Sequence, residues 1–350
     1  MQIVSERDLL EICNGLFTTV GVPLRDSRIA ARCMVNANLR GIDGQGARRL
    51  RQHISMIRAG TINPRPNISV IRERMSACLL DGDYGLGSVV STTAMEHALR
   101  RSDDTGVAIV SVRNTNDFGM AANYAMLALE RDCIGIAMTN TLPWVAPHGG
   151  RARVLGTNPI AIAIPAGSGS PIVFDFSTSY VSHSKIVIQK ELGNHIPAEW
   201  ALDSEGRPTT DPGAGLLGAL APLGGYKGFG LGIAVDLLTG ALAGMDCGTK
   251  VEEISLERKS TIGQTFISLR LSAFDEPTAF KRRVDELVGR VKSDPQPVRN
   301  QHIEMPGELA EETMKRRQLT GIPLDDKHWA DINDLAREIG YKVDISGEEG

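Results

Sequence analysis

Few of the residues able to do chemistry in this 350-residue chain stand at diagnostic spacing. Gly213-Ala-Gly215-Leu-Leu-Gly218 fits the GxGxxG dinucleotide pattern. A phosphate loop needs a strand ahead of it, however, and Arg-Pro-Thr-Thr-Asp-Pro is not one. A second glycine-rich segment, Gly224 to Gly230 with Lys227 inside it, opens an apolar helical run ending at Leu242. Free N–H groups, the positive end of a helix dipole and an ammonium group would suit an anion there. A glycine turn carrying a solvated lysine explains the segment equally well. The seven histidines pair neither with each other nor with cysteine at ligand spacing, so no metal is expected. Asp117, in Arg-Asn-Thr-Asn-Asp-Phe-Gly, follows a strand-like run at 106–112, where α/β proteins often place chemistry. An Asx-turn is its bland explanation. No Gly-x-Ser-x-Gly elbow argues for acyl transfer.

The elements that would position these residues follow from apolar periodicity. Leu9, Ile12, Cys13, Leu16, Phe17 and Val20 keep helical spacing behind Ser5 and Asp8, a cap and its partner. A second helix starts near residues 26–27 and a third spans about 47–59. Between them RGIDGQG holds three glycines in six residues: a tight connection, or a loop that lets backbone approach a ligand. From residue 77 short β-branched runs take over, at 106–112, 133–139, 159–165, 171–177 and 265–274. Helical segments are expected at 91–100, 121–131, 230–242, 277–291, 309–319 and 328–339. Three strand candidates between 133 and 177 have only loops between them. A mixed sheet in an α/β (α+β) protein is therefore expected, not a doubly wound parallel one.

Composition narrows the partners. With 38 Lys+Arg against 42 Asp+Glu and no basic run, a nucleic-acid surface is not expected. No apolar run approaches the ~20 residues that span a bilayer. The first residues, MQIVSERDLLEI, do not read as a secretory signal. Five scattered cysteines in mostly apolar runs read as buried thiols, which suits the cytoplasm.

In order, RGIDGQGARRL (40–50), AGTIN (59–63), VRNTNDFG (112–119), IGIAMTNTLPWVAPHGG (134–150), LGTNPIAIAIP (155–165), FDFSTS (174–179), IPAEWALD (196–203), GRPTTDP (206–212), PLGGYKGFGL (222–231) and MPGE (305–308) resemble one family. It is the type-2 malate/L-lactate dehydrogenases, with ureidoglycolate dehydrogenase, diketogulonate reductase, sulfolactate dehydrogenase and Δ1-piperideine-2-carboxylate reductase among its members. The resemblance implies a non-Rossmann dinucleotide-binding fold, NAD or NADP as cofactor, a small carboxylate-bearing substrate and a homodimer or higher oligomer. It places Thr141, Asp175, Phe176, Ser177, Lys185, Lys227 and the Pro306-Gly307-Glu308 segment at cofactor-contacting positions. Arg49 would face a substrate carboxylate, with Arg48 and Asn116 nearby.

The family's acid–base residues do not carry over. Where its members usually read Ser-His-Gly, this chain has Gly44-Gln45-Gly46. Where they carry a proton-exchanging histidine before Phe-Gly, Asp117 stands, and the usual tyrosine after Arg-Leu-x-x is His53. The catalytic candidates are therefore Asp117, His53, Gln45 and Arg49. An aspartate of ordinary pKa is a poor acid at neutral pH, and glutamine exchanges no proton with a substrate.

Three functions fit this pattern. In the favoured one, an NAD(P)H-dependent reductase acts on the C=N of a small, cyclic carboxylate-bearing imine, with Asp117 stabilising the cation and His53 supplying a proton. The alternative is a 2-hydroxy acid/2-oxo acid dehydrogenase of the malate, lactate or ureidoglycolate kind, with His53 or an Asp117 of raised pKa moving the proton. The third is a lyase, a cyclase or a silent member of the family. The expected organisation is a helical domain at 1–75, a mixed-sheet cofactor- and substrate-binding domain at 76–299, and C-terminal helices at 300–350 packing on the first. The apolar 231–243 helix is expected at a dimer interface.

Overall fold

The computed structural model describes residues 1–252, 255–295 and 302–343. Most of the Pro-rich stretch 294–301 and the terminal SGEEG lie outside the described residues.

The chain opens with β1 (Gln2–Val4), α1 (Glu6–Thr19), α2 (Leu24–Leu39) and, after two 3₁₀ turns, α3 (Leu50–Ala59). Ser5 starts α1 as its residue type suggests: its Oγ accepts from the Asp8 N–H at 3.0 Å and donates to the Asp8 carboxylate at 2.7 Å. The next elements are β2 (Ser69–Arg74), β3 (Ala77–Asp81), α4 (Gly87–Thr105), β4 (Val107–Arg113), α5 (Ala122–Ala125), β5 (Cys133–Thr139), β6 (Ile160–Ile164) and β7 (Ile172–Phe176). After these come α6 (His183–Glu191), β8 (Ala201–Leu202), α7 (Pro212–Leu217), β9 (Ala219–Leu220), α8 (Tyr226–Asp236) and β10 (Gln264–Arg270). The last are α9 (Pro277–Lys292), α10 (Glu308–Thr320), β11 (Ile322–Leu324) and α11 (Asp326–Ile339).

The main sheet has seven strands in the order β2-β3-β4-β10-β5-β6-β7. Only β3 and β4 run parallel, joined by the crossover helix α4, and the run β5-β6-β7 is an antiparallel meander. The mixed sheet is as expected. Its central strand is covered on both faces, as alternation demands. Gln264 and Ser268 meet Ser91 and Ser102 of α4, while Thr265 on the other face donates to the Leu238 carbonyl.

One apolar core joins Leu9, Ile12 and Phe17 of α1 with Ile54 of α3, Ile322 and Leu324 of β11, and Ile332 and Leu335 of α11. The two ends of the chain thus share a core, and β1 pairs with β11. A second core lies under the sheet around Val110, Tyr124 and Phe266. Residues 69–74, read with the helical segment, form instead the exposed edge strand of the sheet.

Two glycine motifs resolve differently. Gly213 and Gly215 belong to the short helix α7, whose start is capped by Asp211 accepting from the Gly213 N–H at 2.8 Å. No phosphate loop forms there. The Gly224–Gly230 segment does open a helix, α8, but Leu231, Ile233, Leu237 and Leu242 of its continuation stand exposed to solvent.

Candidate active-site cleft

A cleft of about 930 Å³ runs between the RGIDGQG connection, the Asn116–Met120 loop, the ends of β5 and β7, and the start of α6. Its size lies at the upper end of small-molecule sites, with room for a large ligand and a small one together.

One end is built on RGIDGQG. Asn38 of α2 pins this loop: its Oδ1 accepts from the Ala47 N–H at 2.8 Å and its Nδ2 donates to Asp43 at 2.7 Å. A Cβ on Gly46 would fall 2.2 Å from Asn38 Oδ1, so glycine lets loop and helix meet. The loop delivers Gln45, Arg48 and Arg49 to the cleft wall. Opposite it, the carbonyls of Asn116 and Asp117 pack on the first turn of α4. A side chain at Gly87 would lie 2.2 Å from both.

The two walls are joined by an ion pair. Arg49 Nη1 donates to Asp117 Oδ2 at 2.6 Å, while its Nε holds the Gly44 carbonyl at 3.2 Å. Asp117 Oδ1 accepts from the Gly119 N–H at 3.0 Å, an Asx-turn in the service of the cleft. Desolvation works against the Asp117 charge, but Arg49 and the Gly119 N–H together hold its pKa below the usual carboxylate value. The raised pKa expected under the hydroxy-acid alternative is therefore not found, because the guanidinium sits in direct contact.

His53, one turn into α3, lines the same end. Desolvation pulls it down to about 4; the Asp117 carboxylate raises it and Arg49 lowers it. With that value the ring is an uncharged imidazole at neutral pH. Among the described residues its Nδ1 has no hydrogen-bond partner, and neither do Gln45 Oε1 and Asn116 Oδ1. Asn116 is oriented by its Nδ2, which donates to the Tyr84 and Gly85 carbonyls at 2.8 Å each. Behind this wall lies a void of about 10 Å³ lined by Gln45, His53, Arg49, Asp117, Cys33 and Ser88 among others, space for about one water. Arg48 is held away from Asp117: its Nε donates to His328 Nε2 at 2.7 Å and its Nη2 pairs with Asp325 at 3.3 Å.

The other end gathers Thr141, Asp175, Phe176, Ser177 and Lys185. Thr141 Oγ1 accepts from the Thr157 N–H at 2.9 Å. Asp175 Oδ2 accepts from the Ala122 N–H at 2.8 Å, and desolvation pushes its pKa up to about 6 against that bond and the more distant Arg40. Lys185 lies over the Trp200 ring at 4.9 Å. Lys227 is exposed and does not line the cleft. The Pro306–Glu308 segment also lies outside the lining, packed on β7 where the Val173 N–H donates to the Pro306 carbonyl at 3.0 Å.

Sequence reasoning passed over Trp144 and His183, which line the cleft and stack with centroids 3.9 Å apart. Trp144 stood inside a family-like block and His183 two residues before Lys185. Their stacking partnership spans 39 positions and has no local signal.

Comparison with known proteins agrees with this architecture. The family model for malate/L-lactate dehydrogenase matches residues 4–333. The chain is 38% identical to an L-sulfolactate dehydrogenase of Methanocaldococcus jannaschii over 93% of each sequence. The solved structure named sulfolactate dehydrogenase from that organism superposes with a TM-score of 0.92 at 36% identity, covering 98% of each chain. A malate dehydrogenase of Pyrococcus abyssi is 38% identical, covering 97% of this chain and 95% of that one. The structure of a Δ1-piperideine-2-carboxylate reductase from Pseudomonas syringae matches at a TM-score of 0.86 and 26% identity, over 96% of this chain and all of that one. With a family model spanning nearly the whole sequence and relatives at 38% identity, the chain belongs to the malate/L-lactate dehydrogenase family.

Proposed function

We propose that this oxidoreductase uses NADH or NADPH to reduce the protonated C=N of a small carboxylate-bearing imine. The observation that carries the reading is the 2.6 Å Arg49–Asp117 ion pair in the cleft wall beside His53. Asp117 is ionised and His53 is neutral at pH 7, so neither holds a proton it can donate. A ketone becomes an alkoxide as hydride arrives and needs such a donor. An iminium already carries its proton on nitrogen, so hydride transfer to carbon leaves a neutral amine and no further proton is required. The nicotinamide, when bound, supplies the hydride and leaves oxidised.

Each residue then has a task. Asp117 offers a fixed negative charge to the cationic C=N, where a preorganised partner acts most strongly. Arg49 fixes Asp117 and turns its remaining N–H groups to the substrate carboxylate. Asn116 Oδ1 and Gln45 Oε1 supply acceptors to donor groups of the ligand. Thr141, Asp175, Phe176, Ser177 and Lys185 fit a dinucleotide: a large lobe with hydroxyls, a carboxylate able to accept from ribose or amide, and an ammonium group. We assign Lys227 and Pro306–Glu308 a cofactor role on the resemblance alone. The exposed apolar face at Leu231, Ile233, Leu237 and Leu242 supports a homodimer, and five free cysteines support a cytoplasmic setting. Among the described residues no helix is long and apolar enough to cross a membrane.

The 2-hydroxy acid reading has its own support, in the relatives named as malate and sulfolactate dehydrogenases. A substrate carboxylate that drew Arg49 away would leave Asp117 free to raise His53 into the range of a general base. Single-turnover oxidation of NADH and NADPH against cyclic imino acids and 2-oxo acids separates the two. Turnover is expected with the imino acids, and turnover confined to 2-oxo acids would overturn the proposal.

A further inference from the structure

Away from the cleft, a group of three side chains brings together the three donor types that divalent transition metals prefer. Glu73 of β2 and Cys78 of β3 face each other across the antiparallel register, so their side chains lie on one face of the hairpin. His97 of α4 meets them there, its Nε2 2.9 Å from Glu73 Oε1. The imidazole nitrogen, the thiol sulfur and a carboxylate oxygen all lie within 4.8 Å of one another. Zinc bonds of about 2.0–2.3 Å in tetrahedral geometry put ligand atoms roughly 3.3–3.8 Å apart, so movements within ~1 Å complete the set. Sequence spacing hides the group, because its members come from positions 73, 78 and 97.

We propose that Glu73, Cys78 and His97 form a zinc-type metal site that clamps the edge strand β2 to the sheet and to α4. Burial is graded as such a site requires: Cys78 is 7% exposed, while the side chains of His97 and Glu73 are 17% and 34% exposed. One coordination position is left toward solvent. Charge balances. A divalent ion meets one thiolate and one carboxylate, leaving the centre neutral, so Arg101, 3.2 Å from Glu73, faces no net positive charge. Arg101 instead holds the carboxylate as an outer-sphere partner and is itself anchored on the Met75 carbonyl. Binding releases one proton to solvent, from the Cys78 thiol, and moves the His97 proton to Nδ1. Desolvation and Glu73 raise the thiol to about 11, so without metal it stays protonated and unreactive.

The clamp answers a structural need. All six residues of β2 are exposed, and among the described residues β3 is its only partner strand. A strand so placed depends on whatever ties its side chains to the layer behind.

The test uses the full chain stripped of metal, with Zn²⁺ or Co²⁺ alone as the probe. One Zn²⁺ per chain is expected by titration calorimetry, and the Co²⁺ form should show a sulfur-to-metal charge-transfer band. Hydrogen exchange over residues 69–74 should slow when Zn²⁺ is added. Cys78→Ser should abolish the band. Cys78→Ser and His97→Gln should each weaken binding more than about 100-fold, beyond the loss typical of an outer-sphere partner. No stoichiometric binding, or equal binding by wild type and both variants, overturns the proposal and leaves a His97–Glu73–Arg101 hydrogen-bonded ion cluster. His97→Gln, at a partly exposed helix position, keeps the test decisive if Cys78→Ser folds poorly.

Discussion

Of the carboxylates that line this cleft, Asp117 and Asp175 are treated oppositely. Asp117 touches a guanidinium and is held below its ordinary pKa; Asp175 accepts a backbone N–H, has Arg40 only at longer range, and is pushed up to about 6. Desolvation is the largest influence on both. The difference is a contact of 2.6 Å, which decides which end of the cleft carries a permanent negative charge. The Asp117 end of the cleft keeps its charge, whereas the Asp175 end keeps a carboxyl poised near neutrality.

The largest expected effect comes from removing the permanent charge. Asp117→Asn should lower imine reduction about 10²- to 10³-fold, the usual loss for one preorganised electrostatic partner, with little change in cofactor affinity. Single-turnover rates and a binding titration check both halves. Asp117→His should not rescue it, since an imidazolium would repel the same cation. Removing the other half of the pair tests why the two carboxylates differ. Arg49→Gln should raise the Asp117 pKa and cost about 2–3 kcal/mol in urea unfolding, less than a fully buried pair because the cleft admits solvent.

The titration of the two ends runs in opposite senses. His53 has a folded pKa of about 4, below its unfolded value of 6.5, so the unfolded chain takes up the proton first as pH falls. Its contribution is present above pH 6.5 and is lost on the way to pH 4, by about 3 kcal/mol. His53→Gln should flatten that acid-side loss. Asp175 is the reverse: its folded value of about 6 exceeds the ordinary 3.8, so its contribution is present below pH 3.8 and is lost as pH rises through 6. Asp175→Asn, which keeps an acceptor for the Ala122 N–H, should therefore stabilise the protein at pH 7–8 by about 1–3 kcal/mol and have no such effect near pH 3.5. Stability curves of both variants across pH check the two signs together.

A smaller change tests how the reacting end is positioned. Gly87→Ala would drive a methyl group into the Asn116 and Asp117 carbonyls, 2.2 Å from each. A cost of about 1–3 kcal/mol is expected, with a lower rate of imine reduction as the Asp117 loop shifts. Unchanged stability and rate would show that the loop is not held by α4.

How much of this was legible in the sequence depended on distance along the chain. The strands at 107–113, 133–139 and 160–164 announce themselves through β-branched alternation, and α1 through Ser5 and its apolar stripe. Helix α6 was passed over, its apolar residues Ile186, Val187 and Ile188 standing in a row without helical spacing, although Ser182 caps it by accepting from the Lys185 N–H. Strand β2 was hidden by its charges, Arg72, Glu73 and Arg74, which an exposed edge tolerates. Asp117 could be named from its own motif, Arg49 and His53 from the family resemblance. The Arg49–Asp117 pairing crosses 68 positions, and the directions of the pKa shifts at this end depend on such contacts. Lys227 had the local chemistry of an anion site, and where the fold carries that helix start, outside the cleft lining, had no local signal.

The central claim, that the reacting end has no proton to give at neutral pH, is open to direct measurement. Imidazole ¹⁵N and ¹³C shifts of the full-length protein, followed from pH 3.5 to 8 with His53→Gln for assignment, report the protonation of His53. A midpoint near pH 4, rising when Asp117 loses its partner in Arg49→Gln, is the expected result. A midpoint at or above 6.5 in the wild type would give the cleft a proton donor, contradict the account and return the chain to ordinary 2-oxo acid reduction.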